Sequence, residues 1–123
     1  MSRVQRFQDL EVWQRAHQLV LGVYRVTRQF PTEERYGLTP QLQRAAVSVP
    51  ANIAEGFKRR GKADKIKFYN ISETSLEEVK YYFILAKDLE YIADNQQLMA
   101  DAEVISRMLY RLIQAVDSSR TST

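Results

Sequence analysis

Residues 38–56 read LTPQLQRAAVSVPANIAEG, and the fold is decided there. Thr39 carries a hydroxyl able to cap free backbone N–H groups, and Pro40 lacks the one N–H that the first helical position leaves unpaired anyway. A helix therefore starts at about residue 40. Leu42, Ala45, Ala46, Val49, Ile53 and Phe57 then recur at three- and four-residue spacing, the period of one buried helical face. Gln41, Arg44, Ser48, Asn52, Glu55 and Arg59 repeat at the same spacing on another face. Pro50 lies inside this pattern, removes one helical hydrogen bond and crowds the carbonyl of Ala46, so the helix should bend about one turn before it.

Working outward, the chain before this stretch reads as another amphipathic helix, from about residue 9 to 29. Asp9 is the expected cap, and Leu10, Trp13, Ala16, Val20, Val23 and Thr27 form its apolar line, widened by Leu19 and Tyr24. Phe30-Pro31 ends it, because the residue before a proline is pushed out of helical geometry. The linker to residue 40 is short, so the two helices should lie antiparallel. On the other side, Gly61 is expected to end the second helix in the left-handed conformation and Asp64 to cap a third, from about residue 63 to 93. Phe68, Ile71, Ser75, Val79, Tyr82, Ala86 and Leu89 should be its inward line, extended by Leu76 and Phe83. Asp94-Asn95 makes the next turn. Leu98, Ala102, Ile105, Leu109, Leu112 and Val116 then mark a fourth helix, from about 96 to 117. Residues 118–123 have no apolar anchor and read as a disordered tail.

These signals predict an all-α, antiparallel, up-down-up-down four-helix bundle occupying residues 1–117 as one domain. The length of 123 residues suffices to bury a core, and a hydrophobic fraction of 45% is ordinary for a globular chain. No cysteine occurs, which excludes disulfides and thiolate metal sites and makes a reducing cytoplasm the simplest compartment. No apolar run resembles a signal peptide or reaches the ~20 residues of a membrane span. Val47, Ala51, Tyr81, Ile84, Tyr91 and Met99 fall off the main stripes. That surplus of apolar surface predicts self-association.

The charge is modest overall at +3, yet unevenly placed. Lys58, Arg59, Arg60, Lys62, Lys65 and Lys67 fall within ten residues against the single acid Asp64, a local net charge of +5. Lys and Arg presented together suit a phosphate backbone, where each neutralised phosphate releases counterions. The alternative is a solvated turn whose lysines only aid solubility. No RNA-recognition motif, zinc finger or helix-turn-helix spacing is present, so the reading is limited to backbone-directed contact with RNA or DNA. Tyr69, close to the run, is a candidate for stacking on a base.

Other candidates reduce to structure. Arg44, Ser48, Asn52 and Glu55 read as a structural polar network around Pro50, with Arg44 and Glu55 meeting partners on a neighbouring helix or subunit. Gly56 beside Glu55 is costly inside a helix and predicts close packing of another backbone, most simply a subunit contact. His17 is the only histidine and lacks companions for a metal site. Neither the Glu33-Glu34 nor the Glu77-Glu78 pair has the carboxylate–histidine spacing of di-iron bundles. With no phosphate loop or nucleophile elbow either, the chain reads as non-enzymatic, with no cofactor and no metal.

The string LTPQLQRAAVSVPANIAEG, preceded by FQDLEVWQRAHQLV and FPTEERYG, closely resembles the 23S ribosomal RNA intervening-sequence protein family, whose members are also called four-helix bundle proteins. The likeness runs from about Phe7 to about Ile92. It departs at Thr74, where family members tend to carry a glycine before a Ser-Leu-x-Glu run, here Ser75-Leu76-Glu77-Glu78. The resemblance implies a four-helix bundle assembling into a ring, a pentamer, with no enzymatic activity known. A fold-level resemblance to pentameric accessory bundles of diversity-generating retroelements supplies a second reading: a scaffold docking a partner nucleic-acid enzyme such as a reverse transcriptase.

Overall fold

In a computed structural model, which describes residues 3–119, the chain forms four α-helices: α1 (Glu11–Thr27), α2 (Leu38–Lys58), α3 (Lys62–Asp88) and α4 (Gln96–Asp117). Two short 3-10 turns, Phe7–Asp9 and Thr32–Glu34, precede α1 and α2, and no strand occurs among the described residues. Each helix packs on its neighbours in sequence, and α1 closes against α4. Along α2 and α3 the cross-contacts run in opposite order. The Tyr82 hydroxyl donates to Gln41, Ser48 meets Ser75, and Ser72 reaches the Val49 carbonyl. The core holds Ala16 and Val23 of α1, Leu42, Val49 and Ile53 of α2, Leu76 and Phe83 of α3, and Ile105 and Leu109 of α4, all fully buried.

The helix ends differ from the expected ones, each for a local reason. The Asp9 carboxylate does not cap α1. It accepts the N–H groups of Gln5 and Arg6, both at 3.1 Å, and so closes the preceding 3-10 turn. Leu10 is the residue at the start of α1 instead. At its far end the N–H groups of Arg28, Gln29 and Phe30 return to carbonyls three residues back, which tightens the chain out of the helix two residues early. Helix α2 begins before Thr39, because the Glu34 carboxylate accepts the Leu38 N–H at 2.8 Å and acts as the cap. Pro40 still sits in the first turn, where N–H groups lack partners. Helix α2 continues on both sides of Pro50.

Gly61 is extended rather than left-handed, with φ −79° and ψ 145°, and serves as the residue before α3; Asp64 lies in the first turn without capping it. Helix α3 ends at Asp88, not at residue 93. Glu90 takes φ 64°, its N–H returns to the Lys87 carbonyl, and the Tyr91 N–H returns to Ala86, both at 2.9 Å. This is the paired-bond helix stop usually built on glycine, and a glutamate there gave no signal. Of the expected tail, residues 120–123 lie outside the described part. Ser118 folds back to the Gln114 carbonyl, and the Ser119 carbonyl accepts a lysine.

The inward face of α3 is also turned by one residue along its first half. Tyr69 and Ser72 are buried in place of the expected Phe68 and Ile71, Ser75 is only partly buried, and Ile71 is exposed. The cause is Gly56 on α2. A Cβ added there would lie 2.5 Å from the Tyr69 ring, so the missing side chain is the space this ring fills. The close packing predicted at Gly56 is therefore within the chain, against a tyrosine. On α1, Val12 and Leu19 take core positions, while Trp13 is half-buried between Phe7 and His17, stacked on the imidazole at 5.1 Å. Tyr24 and Leu89 are exposed.

Candidate nucleic-acid interface

The basic run occupies the junction where α2 ends and α3 begins, with only residues 59–61 between them. A helix C-terminus leaves carbonyls unpaired and partly negative, and a lysine is well suited to both deficits. Lys65 does this for α2: its ammonium donates to the Gly56 and Phe57 carbonyls at 3.2 and 2.9 Å. Burial holds the Lys65 pKa below that of a free lysine. Lys62 does the same for α4, donating to the Asp117 and Ser119 carbonyls at 3.1 and 2.7 Å. Two of the six predicted phosphate ligands are thus turned onto the protein's own backbone.

Lys58, Arg59, Arg60 and Lys67 point outward and are exposed. Arg59 is held from two sides: Glu55 pairs with it at 3.2 Å, and its guanidinium carbon lies over the Phe68 ring at 4.6 Å. The Lys67 ammonium lies over the same ring at 5.8 Å. Lys58 borders a surface cleft of about 480 Å³ shared with Arg6, Phe7, Ala51 and Glu55, which brings a further arginine to this end of the bundle. Sequence reasoning missed Phe68 and Arg6 as parts of this surface. The four-residue spacing from Glu55 to Arg59 was a legible signal for the ion pair.

The polar stripe of α2 divides. Ser48 and Asn52 are joined: the Asn52 amide donates to the Ser48 carbonyl and hydroxyl at 2.8 and 2.9 Å, and the Ser48 hydroxyl meets that of Ser75 at 2.7 Å. Glu55 belongs to the basic end through Arg59, on its own helix. Arg44 is exposed with no hydrogen-bond or ion-pair partner among the described residues. Each lies one helical turn from this pair, yet neither side chain bonds to it.

Tyr69 is not a stacking platform. It is 2% exposed, and burial pushes its hydroxyl pKa up to about 12. His17 is occupied by its stack on Trp13, and no group of three or more His, Cys, Asp or Glu able to hold a metal occurs among the described residues. Among the described residues no helix is long and apolar enough to cross a membrane. The sequence also hid three polar links between elements: Tyr82 to Gln41, Tyr91 to Glu34, and Lys80 to Glu103. Between α1 and α4 an open groove of about 740 Å³ has Leu19, Gly22 and Ile105 among its lining and glutamines and charges along it.

Fold and site together define an all-helical bundle protein with cations concentrated at one interhelical junction. The chain belongs to the 23S rRNA-intervening sequence protein family, which it matches over residues 8–111. It is also similar to a crystal structure from Bacteroides thetaiotaomicron VPI-5482, a protein with unknown function from the S23 ribosomal protein family. The two are 23% identical, with a TM-score of 0.76 over 83% of this chain and 97% of that one, a likeness of fold. Comparison with curated proteins gives no match.

Proposed function

We propose that this protein is a non-enzymatic, up-down-up-down four-helix bundle of the cytoplasm. It assembles into a homo-oligomeric ring of five copies and holds RNA or DNA by the phosphate backbone. The observation that carries the nucleic-acid reading is the exposed set Lys58, Arg59, Arg60 and Lys67 at a single junction, with Lys62 and Lys65 removed from it by their backbone contacts. Exposed cations on rigid helix ends neutralise phosphates without reorganisation. Self-association is supported by exposed apolar groups on both halves of the molecule: Leu21, Tyr24 and Val47 on α1 and α2, Tyr81, Ile84 and Tyr110 on α3 and α4. Two different faces that meet head to tail form a ring when the rotation between copies closes. The number five rests on the family resemblance.

A salt titration of RNA binding tests this reading. The logarithm of the affinity should fall linearly with that of salt, by about 0.7 per phosphate engaged on a single strand. The double variant Lys58→Ala, Lys67→Ala should flatten the slope, and Lys62→Ala should leave it alone. Absence of binding at low salt would dismiss the proposal.

The groove between α1 and α4 favours a second reading, a scaffold that docks a partner enzyme acting on nucleic acid. Pull-down after nuclease treatment separates the two. Partners that persist favour docking, and partners that vanish favour direct binding.

A further inference from the structure

The contacts around Arg59 narrow the class of ligand, once the junction is taken to hold phosphate backbones. Arg59 lies beyond the last turn of α2, with 44% of its side chain exposed. Its guanidinium carbon sits over the Phe68 ring at 4.6 Å, Lys67 shares that ring, and Glu55 holds one guanidinium nitrogen at 3.2 Å. A guanidinium is planar. Held by an aromatic ring on one side and by a carboxylate at one nitrogen, it loses little freedom when a further planar group settles on it.

We infer that Arg59, seated on Phe68 and steadied by Glu55, is a stacking position for an unpaired nucleobase, so that the ligand is single-stranded nucleic acid; this role rests on the proposed binding of the phosphate backbone. Lys58, Arg60 and Lys67 hold the flanking phosphates. Base faces are free in a single strand and covered in a duplex, where the same four cations would meet phosphates alone. Arginine planes and aromatic rings accept every base, so the contact discriminates strandedness without reading sequence. Nothing in this seat distinguishes ribose from deoxyribose.

The test is fluorescence anisotropy at one low salt concentration with labelled oligo-rU, oligo-dT, an abasic strand of the same length and a duplex. Wild type, Arg59→Lys and Phe68→Leu are compared, with circular dichroism confirming that each variant is folded. Both base-bearing single strands should bind more tightly than the abasic strand and the duplex. Arg59→Lys keeps the charge and loses the plane; it should weaken base-bearing strands about tenfold and leave the abasic strand within about twofold. Phe68→Leu should behave alike, more mildly. A strong preference between oligo-rU and oligo-dT overturns the indifference to sugar. Equal affinity for base-bearing and abasic strands overturns the stacking inference while leaving phosphate contact intact, and so does tighter binding of the duplex. No binding of any strand overturns the phosphate reading itself. Displacement of every strand by polyglutamate at equal charge concentration shows an acidic-peptide surface and overturns both.

Discussion

Gly56 shows how one missing side chain sets the register of two helices. With the Tyr69 ring 2.5 Å from where a Cβ would stand, Gly56→Ala must displace buried aromatic carbon, and we expect a loss of about 1–3 kcal/mol in urea unfolding. Gly22→Ala is the control. Its Cβ would meet only the tip of Arg25 at 3.8 Å, so the gain in helix propensity, about 0.5–1 kcal/mol, should prevail. Tyr69 itself gives a pH signature. Its hydroxyl, raised to about 12 by burial, stays neutral in the folded chain while the unfolded chain ionises near 10. Below about pH 10 the two states bind this proton equally; as pH rises from 10 towards 12 the unfolded state is favoured, by up to about 2–3 kcal/mol. Alkaline unfolding should coincide with phenolate absorbance, and Tyr69→Phe should remove that part of the pH dependence. Glu90 sits in the left-handed region at φ 64°, so Glu90→Gly should raise stability by about 1 kcal/mol in the same assay.

Among the helices, the stops and starts are set by side chains from elsewhere. Lys65 closes α2 from α3 and Lys62 closes α4 from α3, so the first turn of one helix caps the ends of two others. Replacing Lys65 by Ala should cost about 1 kcal/mol by thermal or urea unfolding, whereas Lys67→Ala should stay within about 0.5. The salt dependence of RNA binding should show the reverse order. Glu34 links three elements, since it caps α2 and accepts the Tyr91 hydroxyl beyond α3 at 2.6 Å. The Tyr91 bond first and the Leu38 N–H second hold its carboxyl below the usual range. Its contribution is complete above the ordinary carboxylate pKa and is lost as pH falls through the depressed value. Tyr91→Phe should therefore flatten the acid limb of melting temperature against pH.

For the whole molecule, the proposals meet in the state of assembly. Light scattering on the full chain should give the mass of five copies, and a charge placed in an exposed apolar position, as in Val47→Glu, should shift the mass toward the single subunit without melting the helices. A single-chain mass for the native protein would remove the ring and leave the basic junction to act alone. Adding oligo-rU to the native protein should increase the measured mass by whole strands.

Four helices, their order and most of their apolar faces follow from residue spacing alone, because the three- and four-residue recurrence in stretches such as Leu42 to Ile53 or Leu98 to Val116 admits one period. The concentration of cations at residues 58–67 was legible in the same way, since charge along a chain needs no coordinates to count. Which of those cations face water was not. Lys62 and Lys65 lie in one unbroken run with Lys58 and Lys67, and only the convergence of three helix ends separates ammoniums that bond carbonyls from those left outside. The one-residue turn of the α3 face and the stop at Glu90 escaped for a related reason: each depends on a partner distant along the chain, or on a backbone conformation whose cost the surrounding packing bears.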